Sequence, residues 1–144
     1  MSEGLHIYRA GPDQVPGCAG VVNDWIDATP WKPRVFSRDA IEGMIRDALP
    51  VRQIFVVGDP VEAYLSFDPE TSKIGALFCR RTGAGVGKAL LDHVRQGRDF
   101  VWLTSDEPNL KAQAFYRREG FVDCGFIDPE PPETLRELRM EWHA

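Results

Sequence analysis

Apolar residues recur along the chain at two periods, and the change from one to the other divides it into elements. Residues 5–9 read as a strand, after which Val15, Cys18, Ala19, Val22, Trp25 and Ile26 recur at the three-to-four-residue interval that lines one helix face. Pro16 and Gly17 fall near that helix's start, where a missing N–H removes no hydrogen bond. Thr29-Pro30-Trp31-Lys32-Pro33-Arg34 is a loop punctuated by prolines. Ser37 then caps a second helix, with Ile41, Met44, Ile45, Ala48 and Leu49 on its apolar face and Pro50 as its stop.

Short apolar runs follow at 53–57, 61–67 and 73–79, divided by Gly58-Asp59-Pro60 and Asp68-Pro69-Glu70-Thr71. Joints this short and turn-rich predict consecutive antiparallel strands. A helix carrying Val86, Ala89, Leu90 and Val94 comes next, then a strand over 100–105, a helix opened by Asn109 and a strand over 121–127. Past the Pro-rich stretch 128–133, Leu138, Met140 and Trp142 alternate in a final strand. That order predicts an α/β chain with a mixed, mostly antiparallel central sheet and helices on both faces.

At 144 residues the chain has the size of one domain, and 1–144 is expected to form a single one. Hydrophobic residues at 43% against 27% charged place it among soluble globular proteins, and no apolar run approaches the roughly 20 residues that a membrane-spanning helix needs. No membrane partner is expected. A net charge of −5, with no basic run longer than a pair, argues against nucleic acid and suits a cationic partner better. Met1-Ser2-Glu3-Gly4 lacks the basic and apolar regions of a signal peptide, so the expected location is cytoplasmic. Cys18, Cys79 and Cys124 lie among apolar neighbours without metal-ligand spacing and read as buried free thiols. His6, His93 and His143 are far apart, and no metal is expected.

Candidate chemistry concentrates where the apolar run 74–79 meets Arg80-Arg81-Thr82-Gly83-Ala84-Gly85-Val86-Gly87-Lys88 and then a helix. Glycines let main chain approach a ligand closely, and the unpaired N–H groups of a helix's first turn, with the positive end of its dipole behind them, attract a phosphate or pyrophosphate. Three loop types compete for this pattern. A P-loop would need glycine where Thr82 stands and a hydroxyl where Ala89 stands. A dinucleotide fingerprint matches at Gly83 and Gly85 but meets Lys88 at its third glycine, although Asp106 lies about where a ribose-binding acid belongs. The third type carries Gln/Arg-x-x-Gly-x-Gly/Ala into a helix. Gly85-Val86-Gly87 followed by Lys88-Ala89-Leu90-Leu91 resembles this coenzyme A loop of the GCN5-related N-acetyltransferases.

A second segment resembles the same family independently. Asn109, Ala112, Phe115, Tyr116, Gly120 and Phe121 match its N-x-x-A-x-x-F-Y-x-x-x-G-F pattern at every position, and the resemblance is best over residues 53 to 127. It implies the acyl-CoA N-acyltransferase fold, acetyl-CoA as co-substrate, and direct acetyl transfer in a ternary complex to a primary amine on a small molecule or a protein. Thr82, Gly83, Ala84, Gly85, Val86, Gly87 and Lys88 would hold the pyrophosphate, with Thr82 at the Gln/Arg position; starting the pattern at Gly83 puts Arg80 there instead. The main chain of Phe78 and Cys79 would hold the thioester arm, and Asn109, Ala112 and Phe115 would contact the coenzyme. Tyr116 would protonate the departing thiolate, because a phenol and a thiol of comparable basicity exchange a proton nearly thermoneutrally.

Duller roles stand beside these. Asn109 is a good N-cap in any helix. A Cys79 nucleophile would need a base beside it, which Leu77 and Phe78 do not supply. Trp31 and Arg34 lie in the segment that walls the family's acceptor pocket, where Trp31 would stack on a substrate and Arg34 pair with a carboxylate; alternatively Trp31 and Phe36 staple the loop to the core. The run 73–79 carries no carboxylate to deprotonate the amine, and Glu62, Asp106 and Glu107 are the nearby alternatives. That gap supports an alternative function, a non-catalytic acyl-CoA sensor of the same fold. A homodimer through the terminal strand is a further expectation.

Overall fold

The computed structural model describes residues 5–144, so the leader expectation drawn from residues 1–4 lies outside the described residues. In chain order it contains β1 (Ile7–Arg9), α1 (Val15–Ala28), α2 (Arg38–Ala48), β2 (Gln53–Val57), β3 (Ala63–Asp68), β4 (Lys73–Cys79), α3 (Val86–Arg95), β5 (Phe100–Asp106), α4 (Leu110–Arg118), β6 (Val122–Ile127) and β7 (Glu137–His143). Side chains cap two of the helices as their sequences predict. Ser37 Oγ accepts from Ala40 N–H at 3.1 Å, and Asn109 Oδ1 accepts from Ala112 N–H at 3.2 Å. A 3₁₀ turn at Pro12–Gln14, which the apolar pattern does not reveal, leads into α1. β3 begins two residues later than its apolar run, because Val61 packs against α1 while Glu62 N–H closes a turn onto Val57 C=O at 2.8 Å.

The strands form one mixed, mostly antiparallel sheet in the order β1-β2-β3-β4-β5-β7-β6. α3 and α4 cover one face, over a core that includes Leu65, Phe67, Leu90, Leu91, Leu103 and Met140. α1 and α2 cover the other, where Cys18, Val22, Ile54 and Val56 are buried. β7, the terminal strand, lies between β5 and β6 with partners along both edges, so it offers no free edge to a second copy. β6 and β1 are the edge strands, and β6 is exposed along its whole length.

β4 and β5 are parallel, and only Lys73 and Trp102 pair between them. Along the other side of β4, Ser66 pairs with Ala76 and Phe67 with Ile74, leaving Gly75 as an extra residue. An extra residue bends and twists its strand, and glycine accommodates it without a side chain to place. Beyond Gly75, β4 leans away from β5. A wedge opens between residues 76–79 and 103–106.

α1 sits close to the start of β3. A Cβ built on Gly17 falls 2.7 Å from Val61 Cγ2 and 3.0 Å from Val61 Cβ. Val61 is β-branched and cannot swing aside. Gly17→Ala should therefore lower stability by up to about 2 kcal/mol, overpacking of about 1–3 kcal/mol being offset by a helix-propensity gain of about 1 kcal/mol. Urea unfolding of Gly17→Ala, Val61→Ala and the double variant should show the pair more stable than the sum of the single effects predicts.

Candidate active site

α3 begins at Val86 with Gly85 as its N-cap, and no side chain caps it. Gly83 and Gly85 have φ of +80° and +76°, which turns the loop sharply enough to aim the first-turn N–H groups outward. Residues 80–85 are exposed. This helix start has the makings of an anion site, an uncapped positive dipole end facing solvent. A helix starting at Val86 accommodates both registers of the loop pattern, the one that puts Thr82 and the one that puts Arg80 at the Gln/Arg position. The Val86 side chain is buried, so only its main chain faces the loop. Gly87 has a packing reason as well. A Cβ there would lie 3.3 Å from Phe115 Cζ and 3.8 Å from Cys79 Sγ, so its absence lets α3, α4 and the end of β4 meet.

The loop's cations already have partners. Arg80 Nη1 donates to Asp24 Oδ2 of α1 at 2.7 Å, Arg81 pairs with Glu62 at 3.1 Å, and Lys88 pairs with Glu119 at 3.2 Å and Asp92 at 3.4 Å. Hydrogen bonds from Arg80 and Arg38 hold the Asp24 carboxyl below the usual carboxylate range. Ion pairs this exposed are weak, and an incoming phosphate can replace the carboxylates. A broad cavity of about 760 Å³ also flanks α3, lined by Lys88, Asp92, His93, Arg95, Arg118 and Trp142, but it lies away from the wedge.

Main-chain direction along β4 corrects one sequence expectation. Arg80 N–H donates to Glu62 C=O at 2.8 Å across the β3–β4 ladder. Because consecutive residues of a strand point their main-chain groups to opposite sides, Phe78 also faces β3, whereas Leu77 and Cys79 face the wedge. Leu77 and Cys79, not Phe78, therefore present free N–H and C=O groups where a thioester arm would lie. The Phe78 side chain stands on the opposite face, 5.2 Å from the Trp25 ring and 5.9 Å from Tyr64.

Tyr116 is 8% exposed and packs against Phe115 and Phe121 at ring distances of 5.4 and 5.5 Å. Burial, with Cys79 beside it, raises its phenol pKa. Burial also pushes the Cys79 thiol up to about 11. No protein group among the described residues bonds the Tyr116 hydroxyl. It is nonetheless not sealed, since Ser105 Oγ is the buried side-chain oxygen left wholly enclosed without a partner. Ser105 stands on β5 beside the wedge, on the side of α3 and α4, where its orphaned hydroxyl is enclosed. Asn109 and Ala112 are joined in the α4 cap, and Ala112 and Phe115 pack on the same core as Tyr116.

Across the sheet, the α1–α2 loop closes over the end of the wedge. Trp31 meets Trp25 edge-on at 5.7 Å, so Trp31, Trp25 and Phe78 form one aromatic wall. Lys32 Nζ bonds Asp106 Oδ2 at 2.9 Å, with both side chains less than a fifth exposed. Arg34 does not stand free for a substrate carboxylate. Its guanidinium donates to Asp27 Oδ1 at 2.8 and 3.1 Å, to Asn23 Oδ1 at 3.0 Å, to Asn23 C=O at 3.3 Å and to Phe36 C=O at 2.9 Å. Its role is to brace the loop. The carboxylates nearest in sequence are likewise engaged: Glu62 with Arg81, Asp106 with Lys32, and Glu107 with Arg136 at 2.5 Å, whose hydrogen bond lowers the Glu107 pKa.

Sequence reasoning misses Leu77, Gln113 and the Lys32–Asp106 bridge. Gln113 is buried and its Nε2 donates to the carbonyls of Asp106 and Glu107 at 3.0 and 3.1 Å, fixing the turn that presents Asn109. A glycine inside an apolar strand is the signal that could have located the bulge at Gly75 and hence the wedge. Among the described residues no group of three His, Cys, Asp or Glu side chains is placed to hold a metal ion, and no helix is long and apolar enough to cross a membrane.

A sheet broken between β4 and β5, with an uncapped helix start at the break, is the fold of the GCN5-related N-acetyltransferases. Solved structures match along nearly the whole chain. The apo form of YjaB from Escherichia coli is 21% identical, covering 96% of this chain and 97% of that one at a TM-score of 0.78. A GCN5-related N-acetyltransferase from Rhodopseudomonas palustris is 14% identical over 97% and 96%, at 0.75. YncA from Salmonella typhimurium, solved with its cofactor acetyl-CoA, is 15% identical over 98% and 94%, at 0.71. No protein-family model and no curated protein matches the chain.

Thiol accessibility offers a direct check on this geometry. Cys124 is exposed, whereas Cys18 is buried and its thiol is pushed up to about 12. Iodoacetamide at pH 8 should label Cys124 first and leave Cys18 and Cys79 largely unmodified. Cys79 should become reactive only as pH nears its value of about 11. Peptide mapping by mass spectrometry gives the order, and early labelling of Cys79 would mean an open site.

Proposed function

We propose that the chain is an acetyl-CoA-dependent N-acetyltransferase that passes the acetyl group directly to a primary amine within a ternary complex. The observation that carries this reading is the wedge itself. Main-chain groups of Leu77 and Cys79 without a ladder partner, the uncapped start of α3 and Tyr116, which adjoins Cys79, lie around it. Each suits one part of the donor. The first-turn N–H groups of α3 and the glycines at 83 and 85 would hold the diphosphate. Leu77 and Cys79 would bond the pantetheine amides and orient the thioester carbonyl, with Asn109, Ala112 and Phe115 along the α4 side. Tyr116 would give its proton to sulphur as the C–S bond breaks.

Donor and acceptor approach from opposite faces of the sheet in this reading. The donor lies on the side of α3 and α4, and the amine comes from the side of α1 and α2 past Trp31. Cys79 is unsuited to an acyl-enzyme, because its thiol stays protonated and no base adjoins it. A second reading, an acyl-CoA sensor without catalysis, draws on the ion pairing of Glu62, Asp106 and Glu107. Acetyl-CoA should stabilise the protein thermally under either reading and NAD should not; stabilisation by NAD alone would favour a nucleotide-binding domain. Thiol release with primary amines separates enzyme from sensor.

Replacing Tyr116 tests the mechanism. The hydroxyl makes no hydrogen bond within the described residues, so Tyr116→Phe should keep Tm and the acetyl-CoA Kd close to wild type while kcat falls by about 10²–10⁴-fold. Calorimetric titration and thiol-release kinetics read the two quantities separately. An unchanged kcat would remove the phenol from the reaction.

A further inference from the structure

We propose that Glu137 takes the proton from the substrate ammonium, and that its acceptors are amines with an apolar body and no carboxylate beside the nitrogen. This role presupposes the acetyltransferase reading and adds to it a base and an acceptor class. Leu138 and Met140 point into the core under α3 and α4, so Glu137 stands on the opposite face of β7, the face from which the acceptor arrives. Thr104 of β5 donates its hydroxyl to Glu137 Oε2 at 2.6 Å, and Glu137 is half-buried. No cation pairs with Glu137 among the described residues, in contrast to Glu62, Asp106 and Glu107.

Position favours the same residue. The parallel register that pairs Lys73 with Trp102 sets Thr104 abreast of Gly75 and Ala76, just where the wedge opens. Across the wedge lies a groove of about 160 Å³ between α2 and the strands, lined by Met44, Ile45, Ala48, Tyr64, Gly75 and Ala76. Those walls are largely apolar. Arg52 at the groove's edge is held by Asp68 at 3.7 Å. In the proposed pose an amine with a hydrocarbon or aromatic body lies in the groove, with its nitrogen directed past Gly75 and Ala76 toward Thr104 and Glu137.

Charges facing Glu137 decide against an amino acid. Asp106, its partner across β5, is neutralised by Lys32 from the α1–α2 loop. Arg139 is held by Glu141 at 2.8 Å and stacks on Trp102 at 3.8 Å, Arg136 is held by Glu107, and β6 brings only Ile127 alongside. A lone ammonium supplies the charge that Glu137 lacks, whereas the carboxylate of a zwitterion would repel Glu137 and would find a cation only by displacing Asp68 from Arg52 or Asp106 from Lys32.

The transfer balances as follows. Glu137 accepts one proton from the ammonium and releases it to water. The freed nitrogen bonds to the thioester carbonyl carbon of acetyl-CoA, the C–S bond breaks, and the thiolate takes the Tyr116 proton. The amide nitrogen then sheds a second proton, which restores the phenol. One proton is released per amide and thiol formed.

Thiol-release kinetics with tyramine against tyrosine, and phenethylamine against phenylalanine, test both parts. The wild type should favour each amine over its amino acid by about 100-fold or more in kcat/KM, about the discrimination expected when charge is mismatched in a closed site. Glu137→Gln should lose about 10²–10⁴-fold in turnover at pH 7, and the deficit should shrink toward pH 10, where a large share of the amine is already neutral. Glu137→Asp should recover part of the loss, with Tm and acetyl-CoA affinity unchanged in both variants. Wild-type turnover by Glu137→Gln at pH 7, or a deficit that is constant with pH, overturns the base; equal kcat/KM for tyramine and tyrosine overturns the acceptor class. A wild type that binds acetyl-CoA yet releases no thiol with either amine overturns the acceptor class, and one that releases none with any primary amine of a broad panel, polyamines, amino acids and lysine peptides included, overturns the acetyltransferase reading as well.

Discussion

Hydrogen bonding between β4 and β5 stops at Lys73 and Trp102 because Gly75 bulges out of the ladder, and the chemistry of the chain is arranged around that break. A central sheet ordinarily satisfies every main-chain donor and acceptor internally. Here Leu77 and Cys79 keep theirs turned to an opening, with the orphaned Ser105 hydroxyl opposite. Leaving such groups bare and buried costs about 1–3 kcal/mol each, so the arrangement is stable only where water or a ligand meets them. A polar, amide-bearing arm of extended shape is the complement of such a slot.

Keeping the slot open requires bracing from both faces of the sheet. On one side Gln113 ties the carbonyls of Asp106 and Glu107 to α4, and the absence of a side chain at Gly87 lets Phe115 settle between α3 and Cys79. On the other, Lys32 reaches from the α1–α2 loop to Asp106. Arg34 steadies that loop through its planar fork of donors, an arrangement lysine could not reproduce. Asp24 and Asp27 of α1 extend the network through Arg38 to Arg80 in the glycine loop. Exposed pairs of this kind add little stability. Their consequence is geometric: they connect the α1–α2 loop on one face of the sheet to the glycine loop that precedes α3.

Local signals in the sequence were sufficient for the helices and for most of the sheet. Ser37 and Asn109 are capping residues whose effect extends one turn, and the β2–β3–β4 meander follows from turns a few residues long. What escaped depends on contacts distant in the chain. Lys32 and Asp106 are 74 residues apart, and nothing near either one announces the other. β7 enters between β5 and β6, an order that strand patterns cannot reveal, so the terminal strand is internal. Phe78 shows how little is needed to mislead: neighbouring residues of a strand turn their main-chain groups to opposite sides, and only the pairing of Arg80 with Glu62 tells that Phe78 faces β3 while Leu77 and Cys79 face the opening. Arg34 carries the right charge for a substrate carboxylate, but Asn23 and Asp27, both on α1, claim it first.

Protonation gives the two faces of the wedge different characters. Behind it, burial holds both Tyr116 and Cys79 in their neutral forms at physiological pH, the phenol raised from its ordinary value and the thiol up to about 11. A group that resists ionisation is a poor base and a poor nucleophile. A raised phenol is also a weaker acid than a free one, so it hands its proton readily only to a thiolate whose own basicity the same buried surroundings raise. In front, Glu137 is bonded by a neutral hydroxyl and lacks a cationic partner among the described residues, so its charge is available to an incoming ammonium. In the proposed reaction the nitrogen must lose a proton before attack and the sulphur must gain one afterwards. An acceptor face bearing an uncompensated carboxylate and a donor face bearing only neutral acids set those transfers in the required order without passing the acetyl group through the protein.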